Sequence, residues 1–288
     1  MRTRRRALSV RYRQAEGVGA RLASLAMYCD PPVIAEATRG LWRFVGERLR
    51  AAGMTDVPDA LDETVAHDAA WLDPRLLLAQ TCGYPLATRL AGRVRLVATP
   101  VYDHPGCQGA LNGSFVIARA DAAVANLAAL RGAVAAINDR TSNSGMNLLR
   151  HTVAPLAEGG RFFGRVTVSG SHRASLGLVA SGAADVAAID CVTFGNLARY
   201  APEAVAGVRI LAETAKTPGL PLITRAAASE DEVATLRSVL ADFADDPAAA
   251  PLRDVLGLSG FALLPDGAYD AVLALEREAV ALGYPVLG

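Results

Sequence analysis

Ser169 to Asp190 reads SGSHRASLGLVASGAADVAAID, and the order of its parts decides how the chain folds. It follows an apolar run, Gly164 to Val168 (GRVTV), with strand character. Ser169-Gly170-Ser171 supplies a turn and a helix-capping hydroxyl. Leu176, Val179 and Ala180 recur at helical spacing, and Ser181-Gly182 stops the helix. Asp185 to Ile189 is then a short buried-type strand that ends on Asp190. Strand, helix and strand of these lengths make a βαβ unit. The unit puts His172 in the first turn of the helix and Asp190 at the carboxyl end of the next strand. In open α/β sheets those two places border one crevice, where ligands bind.

A second polar loop lies just upstream. Asn138 to Gly145 (NDRTSNSG) follows the apolar strand Ala133 to Ile137 and leads into a helix over Met146 to Leu156. Thr141, Ser142, Asn143 and Ser144 bring hydroxyls and an amide to the amino end of that helix. The end itself offers unpaired N–H groups and a partial positive charge to an anion. One serine before a helix needs no more than a capping role. Several polar side chains beside a glycine, which lets backbone come close, point to a ligand.

These two stretches together resemble the phosphonate/phosphate-type solute-binding proteins of ABC importers. The resemblance rests on Ser142-Asn143-Ser144-Gly145, with Asn143 where many members have Thr, and on Gly170-Ser171-His172 and Ala188-Ile189-Asp190. It extends over residues 21 to 288 and implies an α/β, two-lobe type II periplasmic-binding-protein fold with the ligand cleft between the lobes. The implied first lobe is 21–112 with 215–288, and the second is 113–214. In the implied site, Ser142, Asn143, Ser144 and His172 hold the phosphoryl oxygens. Tyr28, Tyr84 and Tyr102 wall the remainder of the ligand. Asp190 accepts a P–OH proton or meets a ligand amine, since a carboxylate beside a dianion would repel it. The implied protein is a monomeric, periplasmic receptor that delivers a small oxyanion to a membrane permease, without catalysis, cofactor or metal.

Composition fits. At 288 residues, with 52% hydrophobic and 20% charged residues, the chain can bury one large core or two ordinary ones. A formal net charge of zero gives no global field to draw it to nucleic acid. Cys29, Cys82, Cys107 and Cys191 contain no CxxC pair, which speaks against zinc; a bridge, for instance Cys82 with Cys107, needs an oxidising compartment. Residues 1–20 read as a disordered basic tail without the continuous apolar core of a secretory signal. That beginning keeps two other readings open: a cytoplasmic enzyme of the same fold acting on a small carboxylate (menaquinone-pathway type), and a ligand-sensing module. No GxSxG, HExxH, Walker or GxGxxG motif supports the enzyme.

Elsewhere the pattern predicts a strand over 21–28, a helix over 33–52 closed by Gly53, and a short helix after Asp73-Pro74 running into Leu76-Leu77-Leu78. It predicts strands over 93–102, 114–119 and 208–213, and a helix over 191–200. Helices follow over 229–244, 248–256 and 266–282. The alternation of strand and helix predicts largely parallel sheets.

Overall fold

Residues 21–288 are described by the computed structural model, and the basic segment 1–20 lies outside the described residues. In chain order the first strands are β1 (Leu22–Ser24), β2 (Leu76–Gln80), β3 (Val94–Tyr102), β4 (Cys107–Gln108) and β5 (Leu111–Asn112). Next come β6 (Ser114–Arg119), β7 (Val134–Ile137), β8 (Arg165–Val168), β9 (Val186–Asp190) and β10 (Val208–Glu213). The last are β11 (Thr217–Pro218), β12 (Leu222–Arg225) and β13 (Leu258–Ala262). They form two five-stranded sheets, ordered β1-β2-β12-β3-β13 and β10-β6-β9-β7-β8, and a small sheet β11-β5-β4 where the chain crosses between them. Each large sheet is the centre of one lobe.

The helices are α1 (Pro32–Ala51), α2 (His67–Ala70), α3 (Gly83–Ala87), α4 (Leu148–Val153), α5 (His172–Ala180), α6 (Cys191–Tyr200), α7 (Glu230–Ala241), α8 (Ala250–Leu256) and α9 (Asp270–Ala281), and α1 shows how the sequence sets an element. Pro32 sits in its first turn, where no N–H is needed. Ile34, Leu41 and Leu49 recur on one face and are buried, each contributing about 1.5–3 kcal/mol of burial. Arg48 and Arg50 lie in the last turn, matched to the helix dipole. Gly53 then takes the left-handed conformation (φ +87°) that ends the helix.

Three expectations are corrected. Leu76–Gln80 is a strand, buried at all five positions, rather than a continuation of a helix begun at Pro74. A continuous apolar run cannot be assigned by period, and here the middle of a sheet takes it. The stretch after Ser229 is not all helix, because Leu258–Ala262 pairs antiparallel with β3. The large sheets are also mixed rather than largely parallel. β1 with β2, β7 with β8 and β7 with β9 are parallel, whereas the pairs made by β6, β10, β12 and β13 outside these are antiparallel. Strands that arrive from a crossing enter the sheet from its other end.

Residues 215–288, expected in the first lobe, also reach across to the second. Helix α9 (Asp270–Ala281) starts against the first lobe, where a Cβ on Gly83 would meet Tyr269 and Val272. Further on, Ala279, Tyr284 and Leu287 belong to the second lobe's core, with Val116, Leu149 and Phe162. The Gly288 carbonyl accepts from the N–H groups of Phe162 and Phe163 at 2.9 and 3.1 Å. The segment therefore straps one lobe to the other. Among the described residues no helix is long and apolar enough to cross a membrane.

Candidate functional site

Three neighbouring parallel strands build the second lobe's half of the site. β7, β8 and β9 each hand the chain to a helix, and all three helix amino ends open on one cavity of about 480 Å³. After β7, Ser142 caps a widened turn, Asn143–Asn147, which continues as α4 (Leu148–Val153); the Ser142 hydroxyl accepts from the Gly145 N–H at 3.0 Å. After β8, Ser171 caps α5 (His172–Ala180) by accepting from the Ala174 N–H at 3.0 Å. After β9, Asp190 caps α6 (Cys191–Tyr200), accepting from the N–H groups of Val192 and Thr193 at 3.0 Å each. Three partial positive charges thus converge where β-strand carboxyl ends also meet.

Ser144 and His172 come together from different helices, with Oγ and Nε2 3.0 Å apart. Burial holds the imidazole neutral, its pKa lowered to about 4. Gly145 makes the approach possible. A Cβ there would lie 1.8 Å from Asn138 Oδ1 and 3.2 Å from His172 Cε1.

The first lobe supplies the opposite wall. Tyr28 reaches across and donates its hydroxyl to Asp190 Oδ1 at 3.0 Å. Burial, then the neighbouring carboxylate, raise the Tyr28 pKa, so the phenol stays protonated. Burial pushes Asp190 up to about 6, against the opposing pull of its hydrogen bonds from Thr193, Tyr28 and Val192. At the mouth Arg173 of the second lobe pairs with Asp30 of the first. Met27, His67, Trp71, Pro85 and Leu220 line the less polar end.

Of the expected residues, Tyr28, Ser142, Ser144, His172 and Asp190 line this cavity. The other three are placed elsewhere. Tyr84 points away, its hydroxyl donating to Glu276 at 2.9 Å. Tyr102 stands behind Tyr28, ring edge against ring with centroids 5.5 Å apart. The Asn143 amide donates to Thr217 Oγ1 and accepts from Asn147, which ties the widened turn to a crossing strand. His67, Trp71, Asp30 and Arg173 are additions. Trp71 lies just ahead of the helix expected after Asp73, where nothing marks a ligand contact, and Arg173 has only its place beside His172 to mark it. A separate groove of about 690 Å³, lined by His104, Phe194, Arg199 and Asp254 among others, is larger. Arg199 and Asp254 are already paired there, and among the described residues no comparable set of helix ends lines it. The chemistry favours the smaller cavity.

Two lobes with a ligand-sized cavity between the carboxyl ends of their strands make this a two-lobe binding protein of the periplasmic type, and solved structures share the fold. A binding protein component of an ABC phosphonate transporter from Pseudomonas aeruginosa superposes with TM-score 0.70 at 18% identity, covering 91% of this chain and 88% of that one. A Prochlorococcus marinus protein in complex with methylphosphonate gives 0.70 at 14% identity, covering 90% and 97%. A Xanthomonas citri protein bound to ATP gives 0.66 at 19% identity, covering 91% and 96%. The family described as ABC transporter, phosphonate, periplasmic substrate-binding protein matches residues 75–269, and the chain belongs to it. A search of curated protein sequences gives no match.

Proposed function

We propose that the cavity holds the phosphoryl group of a phosphonate or a related small oxyanion, and that the chain delivers it to the permease of an ABC importer. The observation that carries this reading is the convergence of three helix amino ends on Ser142, Ser144 and His172. Neutral hydroxyl and imidazole donors backed by helix dipoles bind an oxyanion without a lysine. The substituent then lies toward Trp71, Met27 and Pro85. In this reading the chain works as a periplasmic monomer. Its lobes divide near residues 113 and 214, and they close on the ligand with Tyr28–Asp190 and Asp30–Arg173 as cross-cleft contacts.

Binding without turnover is favoured over catalysis. Ser144 and His172 have the spacing of a nucleophile and its base. Yet a ring whose pKa burial lowers to about 4 is a weak base at neutral pH.

Calorimetric titration with methylphosphonate, 2-aminoethylphosphonate, phosphate and sulfate tests the reading. Tight binding of a phosphorus oxyanion is expected, weakened roughly 10- to 100-fold in Ser144→Ala and in His172→Ala, in line with about 1.5–3 kcal/mol per charge-assisted hydrogen bond. No heat from any of the four would remove the oxyanion proposal. Arg173→Ala is expected to speed release at most about fivefold, the effect of a half-exposed ion pair worth up to about 1 kcal/mol. Stopped-flow release rates check it, and a hundredfold change would mean that Arg173 touches the ligand.

A further inference from the structure

We propose that Cys107 and Cys191 form a redox site, two thiols that an external disulfide converts into an intramolecular bridge tying the crossing strand β4 to the amino end of α6, one residue past Asp190. The two sulfurs are 3.4 Å apart. They would close by roughly 1.4 Å to reach the ~2.0 Å of a disulfide bond. The surroundings are built for this approach. Gly106 takes φ +89°, and a Cβ on it would sit 2.7 Å from Cys191 Cβ and 3.0 Å from Phe115 Cζ. The Cys191 N–H donates to the Gly113 carbonyl at 3.2 Å, and Cys107 faces Asn112 across the β4–β5 pair. Both cysteines therefore flank the point where the chain passes from the crossing into the second lobe. The remaining thiols are engaged apart from this pair. Cys29 donates to the Leu25 carbonyl, and the Cys82 sulfur accepts from the Asn143 N–H. The sequence left the pairing open, with Cys82 and Cys107 as one example; the thiol that stands beside Cys107 is that of Cys191.

Accessibility orders the chemistry. Cys107 is half-buried and Cys191 fully buried, so reaction begins at Cys107. The Cys191 thiol as hydrogen-bond donor holds the Cys107 pKa below its ordinary value and raises its own, which makes Cys107 the better nucleophile. Its thiolate attacks one sulfur of an external disulfide, and the first thiolate leaves. Cys191 then gives up its proton to solvent and attacks the Cys107 sulfur, and the second thiolate leaves. The chain is oxidised by two electrons, and the external disulfide is reduced to two thiols.

The inference stands apart from the identity of the cleft ligand. Its test uses the reduced full chain treated with oxidised glutathione, alkylated, digested and weighed. A loss of two alkylatable thiols is expected, with a cross-linked peptide pair carrying Cys107 and Cys191. A rise in Tm of roughly 5–15 °C should accompany it and reverse with a reducing dithiol, because the bridge closes a long loop of the unfolded chain. Cys191→Ala should stop at a glutathione adduct on Cys107 with no rise in Tm. Four thiols still alkylatable after treatment, a persistent adduct on Cys107 in the unmodified chain, or a bridge to Cys29 or Cys82 would each overturn the proposal.

Discussion

Gly145→Ala is expected to cost phosphonate affinity about 10- to 100-fold while the protein stays folded, the roughly 1.5–3 kcal/mol of one misplaced charge-assisted hydrogen bond converted to a binding constant. The added methyl would lie 1.8 Å from Asn138 Oδ1 and 2.9 Å from its Cγ. Asn138 cannot retreat as a unit, because its carbonyl accepts from the Gly170 N–H at 3.1 Å. Either its side chain swings into the cavity or the widened turn at Asn143–Asn147 moves away from His172. Both outcomes spoil the place where Ser144 and His172 meet. Backbone strain has no part in this, since Gly145 does not have a positive φ. Calorimetry of the variant beside its melting curve separates the two effects. Unchanged affinity would show that the loop has more room than its geometry allows.

Asp190→Asn is expected to stabilise the unliganded protein at pH 8 by about 3 kcal/mol and to leave stability unchanged near pH 4. The folded carboxyl has a pKa of about 6 against an ordinary value of 3.8, because burial penalises the charge. Between those values the folded state holds a proton that the unfolded state has lost. Stability is therefore full below pH 4 and falls as pH rises through 6. Asparagine keeps the oxygen that accepts from Tyr28, Val192 and Thr193, so the cap survives without the charge. His172 slopes the other way. Its folded pKa of about 4 lies below the ordinary 6.5, so its contribution is full above pH 6.5 and lost as pH falls through 4. The unaltered protein should accordingly show a shallow profile from pH 4 to 6, and the variant a steep acid loss. Denaturant titrations across pH 4–8 measure both. Equal stability of the two proteins at pH 8 would mean that burial does not raise the Asp190 pKa, its hydrogen bonds compensating the charge in full. Titrating the variant with methylphosphonate and 2-aminoethylphosphonate then asks what the charge is for. Selective loss of the aminated ligand assigns Asp190 to an ammonium group, equal loss assigns it to a P–OH proton, and no loss leaves it a cap.

The βαβ unit, the polar loop before 143–156 and five cavity residues were legible in the sequence because each depends on local order: strand, turn, cap, helix. What could not be read depends on distant partners. Tyr84 is drawn away by Glu276, and Asn143 by Thr217 and Asn147. Pro74 after Asp73 resembles a helix start, yet Leu76–Gln80 is claimed by β1 and β12 on either side. β13 carries Ser259 and Gly260 among few strand formers, and its pairing with β3 supplies what propensity lacks. Arg173 meets Asp30 only once the lobes face each other.

The strap from α9 to Gly288 bears on how the protein comes into being. The second lobe's strands, residues 114–213, leave the ribosome well before Ala279, Tyr284 and Leu287 can cover their apolar face. Until those residues emerge, Phe162 and Phe163 also lack the carbonyl that receives their N–H groups. Synthesis therefore holds the second lobe unfinished until this strap has emerged. Until then the uncovered apolar face of that half is a surface on which a chaperone can hold the nascent chain.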